Sequence, residues 1–201
     1  MHNGLKKHKI KSAFFFTGNF YRNPDFKVPI QTLIKDGHYL GAHSDRHLLY
    51  CDWDKRDSLL VTKNEFAIDL KSNYEEMLFF GIEKEQAPYF LPPYEWYNKI
   101  ISDWTTQSGL QLINMTHGTL SHADYTTPNM PNYRNSNEIM KNILSFEATN
   151  PNGLNGFMLL IHVGTEESRT DKFYHQLEKL ILTLKSRKYE IIGLEELLAN
   201  N

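Results

Sequence analysis

The sequence predicts an α/β fold in which parallel strands are joined by helices that cover the sheet. Two patterns carry this reading. Short apolar runs alternate with longer stretches whose apolar residues recur every three or four positions, so strand-sized and helix-sized pieces follow one another along the chain. A strand–helix–strand order lays successive strands parallel, as in a (β/α) barrel or an open doubly wound sheet. In either architecture ligands gather beyond the carboxyl ends of the strands.

The elements follow in order. "SAFFFTG" (12–18) is a short buried strand closed by glycine. "VPIQTLIKDG" (28–37) is a helix with Ile30, Leu33 and Ile34 on one face and Gly37 as its stop. "HYLGAH" (38–43) is the next strand. In "TKNEFAIDLKSNYEEMLFFG" (62–81), Thr62 and Glu65 have the spacing of a capping box, and Phe66, Leu70, Tyr74, Met77 and Leu78 share a helical face. "PYFLPP" (88–93) is a strand ended by prolines, 96–108 a helix, and "LQLIN" (110–114) a strand. Residues 115–134, rich in Thr, Pro, Asn and His, form a long loop, and 136–148 are helical. "GFMLLIHVG" (156–164) is a continuous apolar run, the pattern of a strand covered on both faces. Residues 170–189 place Phe173, Leu177, Leu180, Ile181 and Leu184 at helical spacing, and 190–198 close with a strand and a short helix.

The length of 201 residues suits a single domain spanning 1–201. The net charge of −2, without any basic run, excludes nucleic acid as the expected partner. No apolar run is long enough to span a bilayer. The opening "MHNGLKKHKIKSAFFFTG" lacks the apolar core and small-residue cleavage site of a signal peptide, so it gives no location. Cys51 is the only cysteine and forms no intrachain disulfide. Most of the many aromatic residues belong to the core, although an aromatic-rich enzyme also lines grooves for flat-faced ligands such as sugars.

Candidate chemistry concentrates at three strand ends. His43 and His47 stand four apart, and a helix starting after Ala42 would put both imidazoles on one face, where neutral imidazole is a good zinc ligand. Nine histidines produce that spacing by chance, and ordinary surface histidines are the commoner outcome. The position just past a strand, with Ser44 to pin the turn, is what gives the pair weight. Cys51 continues the series at the same step, although a buried structural thiol is the commoner fate of a lone cysteine. His162 lies inside the most apolar run, either as a core histidine bonded to a carbonyl or as an acid/base group at the mouth of the sheet. "FLPPYEW" (90–96) is a rigid turn, or a loop whose backbone N–H near Tyr94 faces a developing oxyanion. Asp124 and Tyr125 in "HADYT" would orient the acid histidine, line a sugar site or simply be solvated. G-x-S-x-G, Walker, G-x-G-x-x-G and H-E-x-x-H patterns are absent.

Together and in this order, these segments resemble the polysaccharide deacetylases, the family 4 carbohydrate esterases. "SAFFFTGNF" resembles the strand after that family's first helix, "IKDGHYLGAHSDRH" its H-[ST]-x-x-H metal segment, "FLPPYE" its R-x-P-Y motif, "ADY" its D-x-W-like segment and "LLIHVG" its L-x-H motif. The resemblance runs from about Leu5 to Leu198 and rests most on the second and last segments. It implies a distorted (β/α) barrel, incomplete at its N-terminal side, and a hydrolase that removes acetyl groups from a polysaccharide. His43 and His47 would hold a divalent ion, usually zinc. The Tyr94 N–H would support the oxyanion, and His162 would protonate the leaving group with Asp124 beside it. An alternative is a non-catalytic relative that binds glycan through the same groove.

Three departures shape the expectation. The family's F-D-D segment, which supplies the third metal ligand and the base, has no counterpart from Met1 onward. Leu91 stands where the family has arginine, and Tyr125 where it has tryptophan. Asp45, Asp52, Asp54, Glu95 and Cys51 are all candidates for a substitute ligand. With only two histidine ligands the chain is expected to hold metal weakly and to turn over poorly, and a sheet lacking its first strand would present open edges, so the chain is expected to self-associate or to be only marginally stable.

Overall fold

A computed structural model describes residues 1–199. In chain order the elements are α1 (His2–Lys7), β1 (Ala13–Phe16), α2 (Gly18–Arg22), α3 (Lys27–Lys35), β2 (Tyr39–Ala42), α4 (Lys63–Leu78), β3 (Tyr89–Phe90), α5 (Lys99–Gln107), β4 (Gln111–Leu112), α6 (Ser136–Thr149), α7 (Leu177–Ser186) and α8 (Leu194–Ala199). Short 3-10 turns punctuate them, among them Pro93–Glu95, Ser121–Tyr125 and Phe173–Gln176. The chain divides into two compact units, Lys11–Asn114 and Met1–Ile10 with the segment from Met115 onward.

Lys11–Asn114 is the sheet unit. Its four strands lie in the order β1-β2-β3-β4, every pair parallel, which is the α/β class the sequence predicts. β2 is buried at every residue. Ala13 pairs with Tyr39 and Phe16 with Ala42, so Phe15 lies beside Gly41. A Cβ on Gly41 would run into the Phe15 ring, which is why this strand carries glycine there. β3 is only two residues long because Pro92 and Pro93 follow and cannot donate to a ladder. α4 starts on the expected capping box: Thr62 accepts from the Glu65 N–H, and the Glu65 carboxylate accepts from the Thr62 N–H at 2.7 Å. Phe66, Leu70, Tyr74 and Met77 are buried as predicted, whereas Leu78, the last residue of the helix, is exposed.

Met1–Ile10 and the segment from Met115 form a helical unit. Its core is Ile139, Met140 and Ile143 of α6 with Phe173 and Leu180, flanked by half-buried Leu144, Leu154, Leu159, Ile161 and Leu184. α6 also begins on a capping box, Asn135 with Glu138. Two expected strands are corrected here. Residues 156–164 form no strand, and their apolar side chains are half-buried or exposed, none fully buried. The backbone N–H groups of Met158 and His162 go to side chains, Thr116 Oγ1 at 3.0 Å and Asp124 at 2.8 Å, rather than to a neighbouring ladder. Nor is there a strand at 190–192. The predicted helix of 170–189 starts later, after a 3-10 turn. Among the described residues no helix is long and apolar enough to cross a membrane.

Candidate active site: an imidazole pair and a histidine–aspartate dyad

The imidazole pair does not sit on a helix. After β2 the chain enters an irregular loop in which Ser44 (φ +67°) and His47 (φ +58°) both adopt left-handed backbone. That conformation is costly for non-glycine residues and persists only when the surroundings impose it. The imposing groups come from α4. Asp69, 1% exposed, accepts from Ser44 Oγ at 2.5 Å, the Asp45 N–H at 3.0 Å and the Arg46 N–H at 3.2 Å. One turn on, buried Asn73 accepts from the His43 N–H at 2.8 Å and donates to the Phe16 carbonyl at 3.3 Å, tying the loop to β1. Asp45 turns outward from the pair into a fork with Arg22, at 2.7 and 3.1 Å. The Asp45 carboxylate holds the Arg22 guanidinium still further above its usual pKa. Gly18 makes room for this fork: a Cβ there would overlap the Asp45 carboxylate.

So held, His43 Nε2 and His47 Nε2 lie 3.2 Å apart. His43 Nδ1 is 2.8 Å from the Leu91 carbonyl, which only accepts, so Nδ1 carries the proton and Nε2 is the basic nitrogen. Leu91 thus contributes its backbone oxygen at the position of the family's arginine. Two nitrogens bound to one tetrahedral ion at about 2.0–2.1 Å are about 3.3–3.4 Å apart, so the observed spacing fits a divalent ion held by this pair. The fit stops at two ligands. Among the described residues no third His, Cys, Asp or Glu completes a metal-binding group. Asp45 is engaged by Arg22. Asp52 Oδ1 accepts from the N–H groups of Asp54 and Lys55. Cys51 is fully buried, with its thiol pKa pushed up by burial.

Tyr94 and Glu95 are consecutive left-handed residues (φ +60° and +54°) in the turn after Pro93. This strained turn sets the Tyr94 ring against His47, centroids 4.4 Å apart. The Tyr94 N–H makes no hydrogen bond within the protein among the described residues. Trp53 and Trp96 continue the aromatic surface beyond Tyr94.

The dyad lies in the helical unit. Asp124, 1% exposed, takes both the His162 N–H (2.8 Å) and His162 Nδ1 (2.7 Å). A carboxylate accepting at Nδ1 fixes the tautomer and makes Nε2 the nitrogen that exchanges protons with a ligand. The Tyr125 ring packs 5.6 Å from the His162 ring. His122, on the same turn as Asp124, has its pKa lowered first by burial and then by the neighbouring His162 and His117. Leu120, His122, Ala123, Tyr125, Asn132 and Arg134 line a small cavity of about 120 Å³.

The structure therefore joins His43, His47 and Tyr94 in one unit, and Asp124 with His162 in the other. Asp69, Asn73, Arg22 and His122 are absent from the sequence reading. The first two left a signal in it, being polar residues on the apolar face of α4. Arg22 and His122 left none.

A family model for polysaccharide deacetylase matches residues 1–113, more than half of the chain. Bacillus subtilis YlxY is 26% identical over 196 residues, covering 96% of this chain and 50% of the relative, so the chain spans about half of its length. Solved structures share the fold at low identity. An acetyl xylan esterase of family 4 from Clostridium thermocellum, with a cobalt ion, superposes with a TM-score of 0.72 at 18% identity over 98% of this chain and 82% of its own. A family 4 pseudoenzyme from Bacillus anthracis gives 0.70 at 16% over 98% and 58%, and a Bacillus subtilis peptidoglycan deacetylase 0.69 at 18% over 98% and 81%. With the H-[ST]-x-x-H histidines paired past a parallel strand and the family's model covering that unit, this chain belongs to the polysaccharide deacetylase family.

Proposed function

We propose that this chain acts on acetylated polysaccharide as a hydrolase of acetyl groups, assisted by a divalent ion such as zinc held by His43 and His47. The observation that carries the reading is the 3.2 Å approach of the two Nε2 atoms, with the His43 tautomer set by the Leu91 carbonyl. A bound divalent ion supplies Lewis-acid polarisation of the acetyl carbonyl and a water of lowered pKa. The Tyr94 N–H donates to the carbonyl oxygen as charge develops on it. His162, oriented by Asp124, delivers a proton to the departing amine or hydroxyl of the sugar.

Catalytic zinc sites usually have three protein ligands and a water, so a two-ligand site binds weakly and turns over slowly. A second reading, a non-catalytic glycan-binding relative, is supported by the lack of a third donor among the described residues. Acetate release from acetylated chito- and xylo-oligosaccharides, measured with saturating zinc or cobalt, separates the two. Slow release abolished by His43→Ala or His47→Ala is the expected result. Oligosaccharide binding without release selects the second reading, and neither binding nor release defeats both. Among the described residues the outer edge of β1 pairs with no strand. Self-association through that edge is part of the proposal, and sedimentation showing a monomer at high concentration would remove it.

A further inference from the structure

We infer that Trp53 is the stacking platform of an outer sugar subsite that continues from the imidazole pair; the inference rests on the carbohydrate reading above. The rings form an unbroken series within the sheet unit. His47 meets Tyr94 at 4.4 Å, Tyr94 meets Trp53 at 5.4 Å, and Trp53 meets Trp96 at 5.6 Å. Exposure rises outward: Tyr94 is 44% exposed and Trp53 54%, a large apolar surface left in water. Other apolar side chains, such as Phe79 and Val28, are more exposed; what sets Trp53 apart is its unbroken ring contact, through Tyr94, with His47.

The loop that carries this indole is closed on itself. Cys51 bridges Leu59, and the Asp52 N–H donates to the Ser58 carbonyl at 2.9 Å, closing the loop that carries Trp53. Beneath it, Trp96 Nε1 donates to the Asp52 carbonyl at 3.2 Å, and the Arg56 guanidinium lies 4.2 Å over the Trp96 ring while donating to the Tyr97 carbonyl. A rigid, half-exposed aromatic face gives binding area at little entropic cost. The apolar C–H face of a pyranose matches such a ring, and the same loop carries the exposed polar residues Asp54, Lys55 and Asp57. Continuity with His47 makes the occupant a second sugar of the chain whose acetylated unit meets the imidazole pair.

The test is calorimetric titration of the wild type, Trp53→Ala and Trp53→Phe with acetylated chitotetraose, acetylated xylotetraose and the monosaccharide N-acetylglucosamine. Trp53→Ala is expected to weaken the preferred tetrasaccharide about tenfold. Trp53→Phe should recover most of that loss, and monosaccharide affinity and the thermal transition should stay as in the wild type. Unchanged tetrasaccharide binding by Trp53→Ala overturns the subsite while leaving the carbohydrate reading intact. A wild type that binds no tetrasaccharide overturns both. A switch from dimer to monomer in Trp53→Ala, with sugar affinity unchanged, overturns the subsite in favour of a face between copies.

Discussion

The imidazole pair and the histidine–aspartate dyad are built on opposite principles. In the sheet unit two histidines are placed by backbone: a strained loop is fastened by Asp69 and Asn73 on a long helix, and the side chains follow from the loop. In the helical unit one histidine is placed by a single carboxylate that bonds its N–H and its ring at once, beside an apolar segment that joins no ladder. The first arrangement spreads the cost of position over many hydrogen bonds and makes it part of the fold. The second concentrates it in Asp124. Damage to the supports should therefore hit stability in one unit and orientation in the other.

The sharpest way to break this contrast is Asp69→Ala. It strands the Asp45 and Arg46 N–H groups and the Ser44 hydroxyl in a buried site, which should cost about 3–5 kcal/mol. For a chain of this size that is a fall of roughly 10 °C in Tm, with loss of any zinc-induced thermal shift. A variant that melts as the wild type does would show the loop holds itself.

Asp124→Ala comes next, at about 1–3 kcal/mol of stability. Its diagnostic effect is on the ring: nitrogen-15 spectra should show His162 released from its Nδ1–H tautomer, and acetate release should fall about a hundredfold or more. A retained tautomer would mean that something other than Asp124 sets it.

The two capping boxes sharpen the comparison between the units. Thr62→Ala and Asn135→Ala should each cost about 1 kcal/mol. If 1–201 folds as the single domain expected from its length, both shift one shared calorimetric transition. Two transitions, each moved by only one variant, would make the units independent.

The smallest effect is pH dependence at His122. Its folded pKa is lowered by burial and by His162 and His117, with Asp124 opposing, so the unfolded chain binds the proton more readily. Stability is then full above about pH 6.5 and declines as the pH falls through the lowered folded value. His122→Gln should flatten that part of a pH–stability profile, and an unchanged slope would assign the dependence elsewhere.

The sequence by itself determined the elements whose reasons are local. The capping box at Thr62, the glycine stop after α3, the proline end of β3 and the alternating strand and helix pieces all appear because each rests on near-neighbour chemistry. It also picked out His43, His47 and His162, since each sits beside a recognisable apolar run. Tertiary structure decided what the sequence had no means to encode locally. It replaced the helix expected after Ala42 with a left-handed loop fixed by Asp69, twenty-odd residues away. It denied a strand to residues 156–164, where the N–H groups of Met158 and His162 found side chains instead of a ladder. It also assembled Trp53, Tyr94 and Trp96 into one surface from two loops. Periodicity reads only the neighbours a residue has along the chain, and each of these outcomes depends on a neighbour brought from elsewhere.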